Sequence, residues 1–171
     1  MREILRTSRL LLRAPIAGDL DVLYTEIFGD AKVMQYVLAG VPLTYEAAQH
    51  FFEADIDHEG FGDRPAVLTE VETGDVVGIA GLRSCHVLGH EDYEIGAALV
   101  QDAWGKRYAS EILQGLLDYG LTRLGLTRVL GLTHPDNSGM RRIYESIGMT
   151  HLSRVVNPGR GVRLVYVASR D

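Results

Sequence analysis

The sequence predicts an α+β fold, an α/β sandwich in which helices cover a mixed sheet, and three observations carry that prediction. Seven short aliphatic or β-branched runs alternate with helical patterns in the order β-α-α-α-β-β-β-α-β-α-β-β. One of those runs, Tyr93 to Val100, leads directly into the strongest amphipathic pattern of the chain. There Ile112, Leu113, Leu116, Leu117, Leu121 and Leu124 recur at helical spacing and make one apolar stripe. Finally, 171 residues with 46% hydrophobic and 23% charged side chains are enough to bury one real core and no more, so residues 1–171 are read as a single domain.

Taken in order, Leu10, Leu11 and Leu12 between Arg9 and Arg13 form the first expected strand, ended by Ala14-Pro15. Asp19 precedes Leu20, Leu23, Tyr24, Ile27 and Phe28, the pattern of an N-capped amphipathic helix stopped at Gly29. Ala31 to Leu38 is a second short helical piece. Thr44 opens a third that runs to about Asp57, with Phe51, Phe52 and Ile56 as buried candidates. Ala66 to Val71 and Val76 to Leu82 are strands joined by Glu72-Thr73-Gly74-Asp75, with glycine where a hairpin needs positive φ. Ser84 to Asp92 is the least regular segment. Gly96, inside the following strand, predicts a bulge or a close backbone approach. After the long helix, Thr127 to Leu132 reads as a buried strand. Asn137 caps a helix from Ser138 to Ile147, and Gly148 ends it. Thr150 to Val156 and Val162 to Ala168 close the chain as a hairpin around Asn157-Pro158-Gly159-Arg160.

Charge and composition exclude several functions. A net charge of −6, with Lys32 and Lys106 the only lysines, argues against nucleic-acid binding through a broad basic face. A single cysteine, Cys85, excludes an internal disulfide and fits a reducing compartment. No apolar run approaches the roughly 20 residues of a membrane span. Met1-Arg2-Glu3-Ile4 runs into a strand pattern and is unlike a signal peptide, so the expected location is the cytoplasm, with neither a membrane nor a nucleic acid as partner. Cys85, His86 and His90 offer three ligands without a fourth, two of them adjacent, and no metal site is expected.

The junction Trp104-Gly105-Lys106-Arg107-Tyr108-Ala109-Ser110-Glu111 joins the strand to the long helix. A helix start exposes about four unpaired N–H groups and partial positive charge, which suits the pyrophosphate of a nucleotide-type cofactor. The alternative is an ordinary strand-to-helix turn with cations on its wet side. Four stretches then carry a family resemblance that spans nearly the whole chain. They are Thr7-Ser8-Arg9-Leu10-Leu11-Leu12-Arg13 with Asp19; Gly78-Ile79-Ala80-Gly81-Leu82; Glu94-Ile95-Gly96 through Trp104 to Glu111; and Asn137 to Gly148 with Arg142, Tyr144 and Glu145. In this order and spacing they resemble a GNAT-superfamily acetyltransferase of the RimJ/RimL type, the group that includes ribosomal-protein N-terminal acetylases.

That resemblance implies a mostly antiparallel sheet of six to seven strands, helices on both faces, and acetyl-CoA wedged between a splayed central pair, Tyr93–Val100 and Thr127–Leu132. The backbone near Leu99 would pair with the pantetheine arm. The turn formed by Trp104, Gly105, Lys106, Arg107, Tyr108 and Ala109 would bind the pyrophosphate. Asn137 matches an asparagine that touches the pantetheine arm, although a plain helix cap explains it equally. Two positions depart from the pattern: Arg107 replaces the second glycine of the turn, and Met140 stands where serine is usual. Arg107 either adds a charged contact to a phosphate or obstructs binding.

Acetyl transfer to an amine needs a neutral amine, fixed donors for the oxyanion and a proton for the departing thiolate. The resemblance places Tyr144 beside the thioester sulfur as proton donor. Glu94 is the candidate base, acting directly or through a water, with a solvated strand glutamate as the alternative. Backbone N–H groups at a bulge near Gly96 to Leu99 would be the oxyanion donors. Met34 and Tyr36, in the region that shapes the acceptor pocket, and the loop residue His86 are the expected acceptor-binding side chains. The expected function is an acetyl-CoA-dependent N-acetyltransferase acting by direct transfer in a ternary complex on a primary amine, either a protein N-terminus or a small molecule. The rival is a non-catalytic module that binds an acyl-CoA or a protein partner. The resemblance also admits an edge-paired homodimer.

Overall fold

In the computed structural model, which describes residues 1–171, each apolar or β-branched run becomes a strand of one sheet. The strands are β1 (Glu3–Arg6), β2 (Leu10–Arg13), β3 (Ala66–Glu70), β4 (Val76–Cys85), β5 (Asp92–Leu99), β6 (Arg128–Thr133), β7 (Thr150–Asn157) and β8 (Gly161–Ser169). Their order is β1-β2-β3-β4-β5-β6-β8-β7. The α+β class is the one expected, with eight strands where six to seven were expected. The extra strand, β1, is a half-exposed edge whose apolar residues Ile4 and Leu5 are too few for a clear period-two signal.

The helices are α1 (Asp19–Leu23), α2 (Ala31–Met34), α3 (Tyr45–Asp55), α4 (Tyr108–Asp118) and α5 (Ser138–Ser146). Both α1 and α4 continue as single π-helical turns, Tyr24–Phe28 and Tyr119–Arg123. Thr44 caps α3 by accepting from Ala47 N at 3.2 Å, and Asn137 caps α5 by accepting from Met140 N at 3.1 Å. Asp19 is not the cap of α1. Its carboxylate is buried, takes two hydrogen bonds from Arg13 at 2.7 and 3.0 Å, and accepts from Ile16 N at 2.7 Å. The α1 cap position is Gly18, in the left-handed region at φ 91°. The helical piece expected through Leu38 ends at Met34, and Leu38 itself has φ 50°.

The apolar stripe of α4 holds as far as its regular turns. Ile112, Leu113, Leu116 and Leu117 are buried, each burial stabilising by about 1.5–3 kcal/mol. This fixes α4 across β4 and β5. Leu124 falls outside the stripe: Leu124 N bonds Tyr119 O five residues back, and that wider turn rotates it into solvent.

Sheet register positions the site. β4 and β5 pair antiparallel without interruption from Gly78↔Leu99 to Cys85↔Asp92, so no bulge exists at Gly96. A Cβ built at Gly96 would meet nothing within 4 Å, so no close backbone approach requires the glycine either. β5 and β6 form the sheet's parallel pair, and their ladder holds only Glu94↔Leu130 and Ile95↔Gly131. Beyond these positions each strand continues unpaired by the other, leaving a V-shaped gap. At the closed end Arg128 clasps the buried Asp92 with hydrogen bonds of 2.7 and 2.8 Å, tying the starts of the two strands together.

Candidate active site

The gap between β5 and β6 opens into a cleft of about 560 Å³. Cross-strand partners on β4 and β5 face it in rows, Ile79 with Ala98, Gly81 with Gly96, and Arg83 with Glu94. One wall comes from Lys32, Val33 and Gln35 to Leu38, and the other from Thr133, Asn137, Met140 and Tyr144. The two-residue period of β5 turns its odd-numbered backbone groups toward the gap. Ile95 O accepts from Tyr144 there, Leu99 O accepts from Trp104 Nε1 at 3.0 Å, and Val100 N turns the other way to Val77 O. The N–H groups of Ala97 and Leu99 therefore face the cleft. Strand divergence, not a bulge, frees them.

Tyr144 stands at the apex of the V. It is 1% exposed, and its hydroxyl reaches Ile95 O at 3.2 Å and Leu132 O at 3.4 Å, spanning the two strands just past their last pair. Burial, with the charge of Glu94 acting in the same direction, pushes the phenol well above its ordinary value. The group is therefore a hydrogen-bond donor at neutral pH. Its ring occupies this place because residue 131 is glycine: a Cβ at Gly131 would lie 2.6 Å from the ring. A glycine inside a strand marks close approach, and Gly131 carries that signal in the sequence.

Glu94 is 8% exposed and faces the cleft. Arg160 Nη1 donates to Glu94 Oε1 at 2.8 Å, whereas Glu94 Oε2 and Arg160 Nε are buried without partners. Sequence reasoning placed Arg160 in a hairpin turn and missed this contact, because nothing local announces a partner 66 residues away. Cys85 lies at the end of β4, half-buried. Burial, then the charge of Glu94, pushes its thiol up to about 11, so almost none is thiolate at neutral pH. Cys85, His86 and His90 belong to no group of three or more potential metal ligands.

At the open end, Gln101–Ala103 forms a 3₁₀ turn and the chain reaches α4 through Trp104 to Arg107. Gly105 (φ 77°) and Arg107 (φ 63°) are both left-handed, and no side chain caps the helix, so its first amides remain available. Arg107 thus keeps the backbone geometry that glycine serves, at a cost of about 1–2 kcal/mol. Its side chain is exposed and makes no ion pair. Trp104 and Ala109 line the cleft, and Lys32 Nζ sits 5.5 Å from the Trp104 ring centroid. Lys106 is exposed, with its carbonyl held by Arg9 Nη1 at 3.0 Å. The Tyr108 side chain is buried and turned to Glu70, to which its hydroxyl donates, so only its backbone belongs to the turn. Glu111 in the first turn of α4 accepts from Thr7 Oγ1, Arg9 N and Arg9 Nε at 2.6–2.8 Å. The segment before β2 therefore braces the helix start, a role the sequence did not reveal.

Of the expected acceptor residues, Tyr36 lines the cleft, with its ring 5.2 Å from that of His134. Met34 does not; it is fully buried in the core, because the α2 turn directs it inward beside Val33. His86, in the loop after β4, lies off the cleft wall. Leu99, Trp104, Ala109, Asn137, Tyr144 and Glu94 are brought together along one cleft.

The acetyltransferase (GNAT) domain family matches residues 9–150 of the chain. An uncharacterized N-acetyltransferase, p20 of Bacillus licheniformis, is 32% identical over 149 residues, covering 85% of this chain and 81% of that protein. A GNAT-family acetyltransferase structure from Bacillus anthracis superposes with a TM-score of 0.81 at 24% identity, covering 96% of this chain and 97% of that one. RimL, a ribosomal L7/L12 alpha-N-protein acetyltransferase solved in complex with coenzyme A, gives a TM-score of 0.77 at 14% identity, with 98% of each chain covered.

Proposed function

The chain belongs to the GNAT acetyltransferase family, and from that premise we propose that it transfers an acetyl group from acetyl-CoA to a primary amine, directly and within one ternary complex. When bound, acetyl-CoA supplies the activated thioester. The chain's features fit that ligand. Amides of Ala97 and Leu99 face the gap, the cleft is long and mostly apolar, and an uncapped helix start lies at its open end.

The observation that carries the reading is Tyr144 at the apex of the strand pair, its hydroxyl shared between Ile95 O and Leu132 O. In this reading Tyr144 holds a proton for the departing sulfur. Glu94, fixed through Oε1 by Arg160 and with Oε2 unpartnered, takes the proton of the amine, directly or through a water. The amides of Ala97 and Leu99 are the donors for the developing oxyanion. Trp104 to Ala109 wrap the pyrophosphate, with Lys106 and the unpaired Arg107 as flanking cations, and Asn137 adds a contact to the pantetheine arm while capping α5. Tyr36 shapes the acceptor end. Cys85 lies off the cleft lining and burial raises its thiol, so the proposed direct transfer does not pass through it. The RimJ/RimL type is the subtype its motifs favour.

Incubation with acetyl-CoA and a panel of amines should give acetylated amine and free coenzyme A thiol in equal amounts. Tyr144→Phe should lower kcat by about a hundredfold while acetyl-CoA affinity changes little. Unchanged kcat would remove Tyr144 from the mechanism. No acetylated product with any amine would overturn the reading.

A further inference from the structure

The closed end of the cleft carries two arginines, Arg83 and Arg163, to which acetyl transfer alone gives no role. Arg83 and Glu94 are directly opposed on β4 and β5, on the face that lines the cleft. They do not pair with each other. Arg160 takes Glu94 Oε1 and leaves two buried polar atoms unsatisfied, Glu94 Oε2 and its own Nε. Arg83 makes no ion pair at all. Behind them Arg163, 2% exposed, spends its Nη groups on the carbonyls of Val162 and Leu38 and meets no carboxylate. Burial, then the charge of Arg160, holds Arg163 below its ordinary value. One carboxylate here is paired with Arg160, while Arg83 and Arg163 have none, in a chain whose net charge is −6.

These cations are badly placed for the phosphates of acetyl-CoA. Glu94 lies five residues before Leu99 on an extended strand, about 17 Å at roughly 3.3 Å per residue, and the Trp104 to Ala109 turn follows Leu99. A buried carboxylate oxygen and a buried guanidinium Nε left unsatisfied, Glu94 Oε2 and Arg160 Nε, are costly unless a ligand completes both. The complementary ligand has an ammonium group close to an oxyanion. We infer that the acceptor is a primary amine bearing a carboxylate, with its amino group facing Glu94 Oε2 and its carboxylate held by Arg83 and Arg160. This rests on the acetyltransferase reading and narrows its acceptor. A polyamine, positive at every protonated nitrogen, would meet the arginines as like charges. The carboxylate can come from a free amino acid or from an acidic residue at a peptide N-terminus.

Coenzyme A thiol release is to be followed with four acceptor sets: free amino acids, the corresponding α-amides, short peptides beginning with Glu or Asp against ones beginning with Gln or Asn, and spermidine. We expect kcat/KM at least about tenfold higher for the carboxylate-bearing member of one matched set, as one charge-assisted hydrogen bond can supply. The set in which the preference falls identifies the source. Arg83→Gln should lower kcat/KM for that acceptor about tenfold more than for its neutral analogue, mainly through KM, and Arg83→Lys should restore part of the loss. Retained acetyl-CoA binding by calorimetry certifies the fold of each variant. Preference for an amide or spermidine, or a preference that survives Arg83→Gln, overturns this inference alone. Turnover of no amine overturns it together with the acetyltransferase reading.

Discussion

Arg107 shows how much one residue's backbone can decide. At φ 63° it holds a left-handed conformation that costs a side-chain-bearing residue about 1–2 kcal/mol. Glycine would remove that strain but lose about 0.5–1 kcal/mol to unfolded-chain entropy. Arg107→Gly is therefore expected to be as stable as the native chain or up to about 1 kcal/mol more so in urea unfolding, whereas Arg107→Ala keeps the strain and gains nothing. Both remove a cation beside the helix start and should weaken acetyl-CoA binding several-fold at low salt, less at high salt. Tighter binding by the glycine variant would mean that the arginine obstructs the turn. Sequence inspection could flag position 107 as irregular; only the dihedral angle shows that the geometry survives.

Among the elements, β2 and α1 are locked by a contact the sequence suggested in the wrong role. Asp19 reads as an N-cap, yet it is 4% exposed and paired with Arg13, itself 4% exposed. Asp19→Ala leaves a buried guanidinium unpaired and should cost about 3–5 kcal/mol, read as a shift of the urea midpoint. A loss under 1 kcal/mol would show that solvent reaches Arg13. The same scale explains the active cleft. The parallel pair β5 and β6 stops after two register positions, pinned at one end by Asp92 and Arg128 and filled at the apex by Tyr144 over Gly131. Strand patterns announce which residues are extended, but not where a ladder ends, because pairing length depends on what packs into the gap.

Taken whole, the molecule is one eight-stranded sheet whose two central strands diverge, so a ligand seated between them joins both halves. Binding to the native state alone should then stabilise the whole fold. At about 100 times its Kd, acetyl-CoA should add about 2.7 kcal/mol and raise Tm by about 5–10 °C for a chain of this size. Thermal melts with and without the ligand check this; no shift at saturation would argue against a site between the strands. No helix is long and apolar enough to cross a membrane.

By itself the sequence determined the α+β class, the order of elements from β2 onward, the α4 stripe, the two caps at Thr44 and Asn137, and the start of α4 after Trp104 to Arg107. Each is local: side-chain periodicity, a capping oxygen, a glycine in a turn. The tertiary structure decided what depends on distant partners. It buried Met34, turned Asp19 toward Arg13, moved His86 off the cleft, placed Tyr144 over Gly131, set Arg83 opposite Glu94 and paired Glu94 with Arg160. Charges that are far apart in the chain leave no periodic trace. Their grouping exists only once the β4–β5 register and the β7–β8 turn are set.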